Sequence, residues 1–152
     1  MTNLHIRMAT LADAESIAPL FDAYRQFYEQ PADLEMATAF IRERLQKSES
    51  IIFLAVTESH RTVGFCQLYP SFCSVEARPI YALYNLFIQP QIRRTGAGRL
   101  LLIAAEKHAK KAGVVRMDLT TAKTNFSVQR LYESCGWRRD EVFHAYSRRI
   151  AI

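Results

Sequence analysis

Gln91-Ile92-Arg93-Arg94-Thr95-Gly96-Ala97-Gly98-Arg99 is the stretch on which the reading of this chain turns. It follows the apolar run Ala82-Leu83-Tyr84-Asn85-Leu86-Phe87-Ile88 and opens a helical pattern that runs from Leu100 to Ala112. A strand, a short glycine-bearing loop and a helix N-terminus leave backbone N–H groups without intrahelical acceptors at the positive end of a helix dipole. Such a concavity suits a phosphate or pyrophosphate. Gly96 and Gly98 carry no Cβ to hold a ligand away, and Arg93, Arg94 and Arg99 supply donors that match phosphate oxygens. Two nucleotide-binding patterns are excluded. No glycine is followed by Lys and Ser or Thr, and Leu101 stands where the dinucleotide fingerprint has its third glycine. Taken alone, the stretch fits equally well a glycine-softened turn with solvated arginines.

With 152 residues the chain has the length of one domain with a real hydrophobic core, so a single domain over residues 1–152 is expected. No apolar run reaches the roughly 18 residues needed to span a bilayer. Met1-Thr2-Asn3-Leu4-His5-Ile6-Arg7 lacks the apolar centre of a signal peptide. A cytoplasmic protein without a membrane partner is expected. Cys66, Cys73 and Cys135 are odd in number and without C-x-x-C spacing, which disfavours a disulfide scaffold or a thiolate metal site. No metal is expected. The net charge of +5 suits an anionic ligand. With neither an aromatic RNA-binding motif nor a recognition-helix signature, nucleic acid is not an expected partner. Lys107, Lys110 and Lys111 fall late in a helix, where the dipole itself favours cations.

Taken in order, Leu4 to Met8 reads as a strand. Thr10 with Asp13 three positions on caps a helix that carries Ala14, Ile17, Leu20, Phe21, Tyr24 and Phe27 or Tyr28 at helical spacing. Pro31 breaks that pattern. Asp33 caps a second helix with Ala37, Phe40, Ile41 and Leu45 inward. Ile51 to Thr57 and Val63 to Leu68 read as a hairpin, and Tyr69 to Pro79, with two prolines, as a loop with frayed strand ends. The strand into Ile88 and the helix behind the cradle follow, ending at Gly113. Val115 to Thr120 is a strand, Asn125 to Ser134 a helix ended by Gly136, and Val142 to Ile150 a last strand.

Arg93-Arg94-Thr95-Gly96-Ala97-Gly98 resembles the Q/R-x-x-G-x-G/A motif of the GNAT (Gcn5-related N-acetyltransferase) superfamily. Asn125 through Trp137, running N-x-x-x-x-x-L-Y-x-x-x-G-W, is similar to the motif that follows it, with Leu131-Tyr132 and Gly136-Trp137 on the matching positions. The opening Ile6-Arg7-Met8-Ala9-Thr10 with Asp13 resembles the usual first strand and cap. The resemblance covers essentially the whole chain. It implies an α/β (α+β) single-domain GNAT fold, a mixed central sheet of about six or seven strands flanked by about four helices, in β-α-α-β-β-β-α-β-α-β order. A narrower similarity, carried by Tyr24-Arg25-Gln26-Phe27-Tyr28 and Phe65-Cys66-Gln67-Leu68-Tyr69-Pro70, is to small bacterial members labelled histone/polyamine-type acetyltransferases.

The resemblance implies an acetyl-CoA-dependent N-acetyltransferase that moves an acetyl group to a primary amine of a small molecule or peptide by direct transfer in a ternary complex. A non-catalytic acyl-CoA-binding or sensing module is the alternative. Backbone amides from Arg94 to Arg99, with Arg93, would bind the pyrophosphate of acetyl-CoA. Leu86, Phe87 and Ile88 would hydrogen-bond the pantetheine arm like an added strand, and an amide there would polarise the thioester carbonyl. Asn125 would hold the pantetheine region; read from the residues alone it is also a helix N-cap. Tyr132 would protonate the departing thiolate, which a neutral phenol can do at pH 7; without the motif it reads as a core tyrosine. Tyr24, Tyr28 and Glu29, at the end of the first helix, together with Asn85, would wall the amine, their rings packing an alkyl-ammonium. Read blandly, Tyr24 belongs to the core stripe and Glu29 is a solvated charge. No general base stands out. Ala82 and Asn85 occupy places where relatives carry carboxylates, and Glu29, Asp33, Glu76 and His144 remain unranked. Small members of the superfamily often pair through C-terminal strands, which makes Val142 to Ile150 a possible homodimer contact.

Overall fold

Among the described residues, five strands build one mixed sheet and four α-helices accompany it. In this computed structural model residues 3–151 are described; Met1 and Thr2 of the opening stretch, and Ile152, lie outside them. The elements are β1 (Leu4–Met8), α1 (Ala14–Phe27), α2 (Leu34–Gln46), β2 (Ile51–Thr57), β3 (Thr62–Cys73), β4 (Arg78–Ile88), α3 (Ala97–Ala112), β5 (Met117–Asp118) and α4 (Phe126–Ser134). The strands lie side by side in chain order. The three pairings among β1 to β4 are antiparallel and β4 with β5 is parallel. The chain divides into two compact units after Thr120, with α4 in the smaller.

The sheet is buried on both faces because β2 is apolar at successive positions rather than alternate ones. Ile52, Leu54 and Val56 join Phe65 and Phe87 under Ile17, Phe21, Ala37 and Ile41 of α1 and α2. On the other face lies α3, where the Cys66 thiol donates to the Leu101 carbonyl at 3.9 Å. There the His108 ring sits 5.6 Å from Phe53 and 5.9 Å from Tyr81. Capping follows the sequence. The Thr10 N–H donates to the Asp13 carboxylate at 2.8 Å, the Met36 N–H donates to Asp33 at 3.0 Å, and Gly113 closes α3 in the left-handed region.

Three expectations change. Tyr69 to Pro79 is not a loop but the continuation of a long β3–β4 hairpin, paired as far as Cys73 with Arg78. Pro79 accepts from the Val115 N–H, and Tyr81, which faces Pro70, donates to Arg116, so both point away from the β3–β4 ladder. The N–H groups that the two prolines lack would therefore have served no bond in that ladder, and β2 no longer flanks β3 beyond Leu68. The expected strand Val115 to Thr120 pairs only at Met117 and Asp118. The expected last strand, Val142 to Ile150, forms no ladder, which leaves five strands among the described residues instead of six or seven. Its start is turned aside because the Asp140 carboxylate accepts from the N–H groups of Val142 and Phe143 at 2.8 and 3.2 Å.

Arg7 on β1 meets Asp13 through two bonds of 2.9 and 2.8 Å, and this pairing holds the Asp13 carboxyl down at about 2. A carboxyl whose folded value lies below its unfolded one stabilises above the unfolded value and loses that contribution as pH falls. Asp13→Asn is expected to cost about 1–2 kcal/mol at pH 7. In urea titrations the difference from the parent protein should shrink between pH 4 and pH 2, and a difference unchanged by pH would contradict the ion pair.

Candidate functional site

β4 changes character halfway along its length. Tyr81 donates its N–H to Arg116 on the β5 side, whereas Gln89, an even number of residues later, donates to Val63 on the β3 side at 2.9 Å. Residues of one parity face one neighbour, so an extra residue lies between them. It is Tyr84, because Gln67 pairs with Asn85 while Leu68 pairs with Leu83. Beyond this bulge Phe87 faces β3, and Leu86 and Ile88 turn their backbone groups to the opposite edge. Among the described residues no strand lies there, since β5 reaches only Tyr81 and Ala82. The Ile88 carbonyl accepts from Arg93 Nε at 3.0 Å.

The loop leaving that edge is shaped for an anion. A 3₁₀ turn over Pro90–Ile92 ends at Arg93, whose guanidinium lies 5.5 Å from the Phe87 ring. Arg94 (φ 66°) and Gly96 (φ 89°) are both left-handed, and Thr95 Oγ1 ties the loop back to the Ile92 carbonyl at 2.6 Å. The first backbone bond of α3 runs from the Leu100 N–H to the Gly96 carbonyl, so the N–H groups of Ala97 and Gly98 have no intrahelical acceptor. Nothing stands within 4 Å of where a Gly96 Cβ would be. These residues fit a pyrophosphate, with amides and the helix dipole on one side and Arg93 and Arg94 flanking. Arg99, exposed, follows on the first turn of α3.

The residues expected around the amine are gathered on the α1 face of the sheet. Tyr24 and Tyr28 meet edge to face at 5.1 Å, and Tyr24 Oη donates to the Tyr84 carbonyl at 3.3 Å. Burial pushes the Tyr24 hydroxyl up to about 12, partly offset by donation from the Asn85 amide. Asn85, only 3% exposed, accepts from Gln67 Nε2 at 2.7 Å, and the Gln67 oxygen accepts from Ser50 Oγ at 2.8 Å. Glu29 stands beyond the end of α1 at φ 64°, exposed. Sequence reading missed Tyr69 and Tyr84, whose rings meet at 5.7 Å. The strand alternation Gln67–Tyr69 offered a signal for the first. The bulge that turns Tyr84 outward leaves no such mark in the sequence.

Two expected residues belong to the smaller unit. Asn125 is the N-cap of α4 and its side chain makes no capping bond. Tyr132 is buried on α4 with its ring 5.8 Å from Trp137. Among the unranked base candidates, Asp33 caps α2 and Glu76 pairs with Arg116 at 3.0 Å, far along the β3–β4 hairpin, while His144 is exposed in the smaller unit. Ala82 lies between Tyr69 and Asp118, and Asp118 is held by Arg116 at 2.7 Å.

The profile of the acetyltransferase (GNAT) family matches residues 17–137. A Bacillus subtilis (strain 168) protein named uncharacterized N-acetyltransferase YhfO is 43% identical over 143 residues, 94% of this chain and 95% of its own. A Haemophilus influenzae protein named probable acetyltransferase is 29% identical over 114 residues, 75% of this chain and 78% of its own. The crystal structure of a probable acetyltransferase superposes with a TM-score of 0.91 at 36% identity, covering 97% of this chain and 99% of that one. The fold is shared, at 19% identity and a TM-score of 0.81, with aminoglycoside N-acetyltransferase AAC(6')-Iy in complex with CoA, over 99% of this chain and 97% of that one. With the family's profile on most of its length and the same fold beneath it, the chain belongs to the acetyltransferase (GNAT) family, enzymes that move an acetyl group from acetyl-CoA to an amine nitrogen.

Proposed function

We propose that this protein acetylates a primary amine of a small molecule or peptide by direct transfer from acetyl-CoA within a ternary complex. The observation that supports this best is continuity. The outward-facing backbone of Leu86 and Ile88 runs within ten residues into the N–H cradle at Ala97 and Gly98. An extended arm ending in a pyrophosphate is the ligand chemistry that uses both. When bound, acetyl-CoA supplies the thioester that donates the acyl group. Leu86 and Ile88 hold the arm as an added strand would, and the Leu86 N–H polarises the thioester carbonyl. Arg93, Arg94, Thr95, Gly96, Ala97, Gly98 and Arg99 take the pyrophosphate. Asn125 engages the pantetheine amides with its side chain, and Tyr132 gives its phenolic proton to the departing thiolate. Tyr24, Tyr28, Glu29 and Asn85 serve the amine.

The sequences Tyr24-Arg25-Gln26-Phe27-Tyr28 and Phe65-Cys66-Gln67-Leu68-Tyr69-Pro70 support placing the enzyme among the small bacterial members labelled histone/polyamine-type, with a cytoplasmic location. A homodimer through residues 142–150 belongs to the same proposal. Val142, Phe143, Tyr146 and Ile150 are between 78% and 91% exposed, an apolar run that a partner would cover.

Calorimetric titration with acetyl-CoA, against CoA as control, is expected to show one site per chain. Gly98→Val should weaken binding at least tenfold by filling the cradle. Folded protein that binds neither ligand would remove the cofactor site. Tyr132→Phe should lower kcat by about 10–100-fold while leaving acetyl-CoA affinity within twofold; unchanged turnover would remove Tyr132 from the reaction. Binding without transfer across a broad amine panel would leave a binding module in place of an enzyme. In sedimentation velocity at micromolar concentration the parent chain should run as a dimer and a chain ending at Asp140 as a monomer. A parent monomer would exclude the pairing.

A further inference from the structure

We infer that Tyr24, Tyr28, Tyr69 and Tyr84 form an ammonium-binding subsite that recognises the acceptor by ring faces and neutral oxygens, oriented by a hydrogen-bond chain running from Ser50 through Gln67 and Asn85. The inference rests on the acetyl-transfer reading and names the class of acceptor, a slender alkyl-ammonium.

Gln67 is wholly buried in the middle of the sheet, where an amide is costly unless every donor and acceptor is engaged. Its engagement has a direction. Ser50 Oγ donates to Gln67 and Gln67 Nε2 donates to Asn85; the Asn85 amide stands close enough to the Tyr24 hydroxyl to offset part of its upward shift, and Tyr24 Oη donates to the Tyr84 carbonyl. Each donor points toward the bulge, so the Asn85 amide and the Tyr24 proton have one orientation. The chain ends on two oxygens with acceptor capacity, the Tyr24 hydroxyl and the Tyr84 carbonyl that accepts its proton. Around them stand the four rings. Tyr24 and Tyr28 are in contact, Tyr69 and Tyr84 are in contact, and Tyr24 is within electrostatic reach of the other three. After burial, the neighbours that raise the Tyr24 hydroxyl most are the other three phenols. Arg44 and Glu49 act on Tyr69, where their charges oppose each other.

Tyr84 decides the assignment. It is 66% exposed between two buried neighbours, Leu83 and Asn85, because the bulge turns it out of the pleat. Two residues further on is Leu86, about 7 Å along the strand, where the thioester carbonyl is proposed to bind. A nitrogen held at the Tyr84 carbonyl is therefore within reach of the acyl carbon. Neutral oxygens and π faces hold an alkyl-ammonium without a salt bridge, and a bulky polycationic sugar, which calls for carboxylates, is disfavoured.

The test uses n-butylammonium chloride as the probe and n-butanol as its neutral isostere. Binding is followed by NMR of ring-labelled tyrosine, with acetyl-CoA titrated into the same samples by calorimetry. Butylammonium is expected to shift resonances assigned to Tyr24, Tyr69 and Tyr84, butanol to shift them much less, and 0.3 M NaCl to change the affinity less than twofold. Tyr84→Leu should weaken butylammonium about threefold and Tyr84→Phe should not. Gln67→Leu, which replaces the amide by a similar apolar volume, should weaken it comparably while the protein still binds acetyl-CoA. Equal shifts from butanol, or affinity unchanged in Tyr84→Leu, would overturn the subsite. Loss of acetyl-CoA binding in the parent chain would instead overturn the reading on which it rests.

Discussion

One extra residue in β4 sets the terms for the whole site. The ladder between β3 and β4 continues past Tyr84, but the parity of the strand reverses there, so the edge that β5 occupies at Tyr81 and Ala82 becomes an open edge at Leu86 and Ile88. A bulge bends its strand and raises the local twist, which a parallel partner cannot follow. The short β5 and the exposed β4 edge are thus two results of one event. Exposed strand edges are normally blunted, because unpaired N–H and C=O groups invite association. Here one of those groups is already engaged, since Arg93 Nε caps the Ile88 carbonyl. The edge is left open over a span short enough for a single extended ligand.

The cradle depends on the same strand, because its geometry is fixed by where β4 delivers the chain. Arg93 is tied to both the Ile88 carbonyl and the Phe87 ring, so its charge is placed beside the loop before any ligand arrives. Arg94 adopts a left-handed conformation that a residue with a Cβ enters only at a cost of about 1–2 kcal/mol. Such a conformation persists when its neighbours over-determine it, and it clusters at ligand-binding turns. Thr95 bonded to Ile92, and Gly96 in the same region of backbone space, supply that determination. Donors already aimed at the ligand give tighter binding than donors that must be ordered on arrival.

Much of this was legible in the amino-acid order. Thr10 with Asp13, Asp33, Gly113 and Gly136 mark helix ends by local chemistry that tertiary structure has no reason to override, and each stands where expected. The Gly96–Gly98 pair behind an apolar run placed the α3 N-terminus for the same reason. What escaped was whatever depends on two distant segments at once. Pro70 and Pro79 suggest a loop until the pairing shows that their missing N–H groups face away from the ladder. Val142 to Ile150 has a strand's composition but no ladder, because Asp140 redirects the chain. Phe40 belongs to the helical stripe, yet it lies at the edge of the core, stacked on Phe21 at 5.3 Å and with the Arg44 guanidinium over its ring. The position of Tyr84 follows from a register shift, and periodicity carries no trace of one.

The neutral residues at Ala82 and Asn85 bear on how an amine loses its proton. An alkyl-ammonium with an ordinary value near 10 is about 0.1% deprotonated at pH 7, so a site with no carboxylate on β4 must favour the neutral amine in another way. Desolvation does so, because moving an ammonium from water to an apolar wall penalises its charged form. The Tyr24 hydroxyl, pushed up to about 12, is no acceptor of that proton at neutral pH and stays a donor to the Tyr84 carbonyl. Carbonyl and phenol oxygens bind the ammonium weakly and the amine by one hydrogen bond. The difference in stabilisation between the two forms is therefore small compared with that at a carboxylate. A carboxylate at Asn85 would hold the cation more tightly and raise its pKa, and it would be buried beside Gln67, whose amide donates there now. A floor of amides and phenols keeps affinity modest and leaves the proton free to pass to water from the exposed Tyr84 side of the cluster.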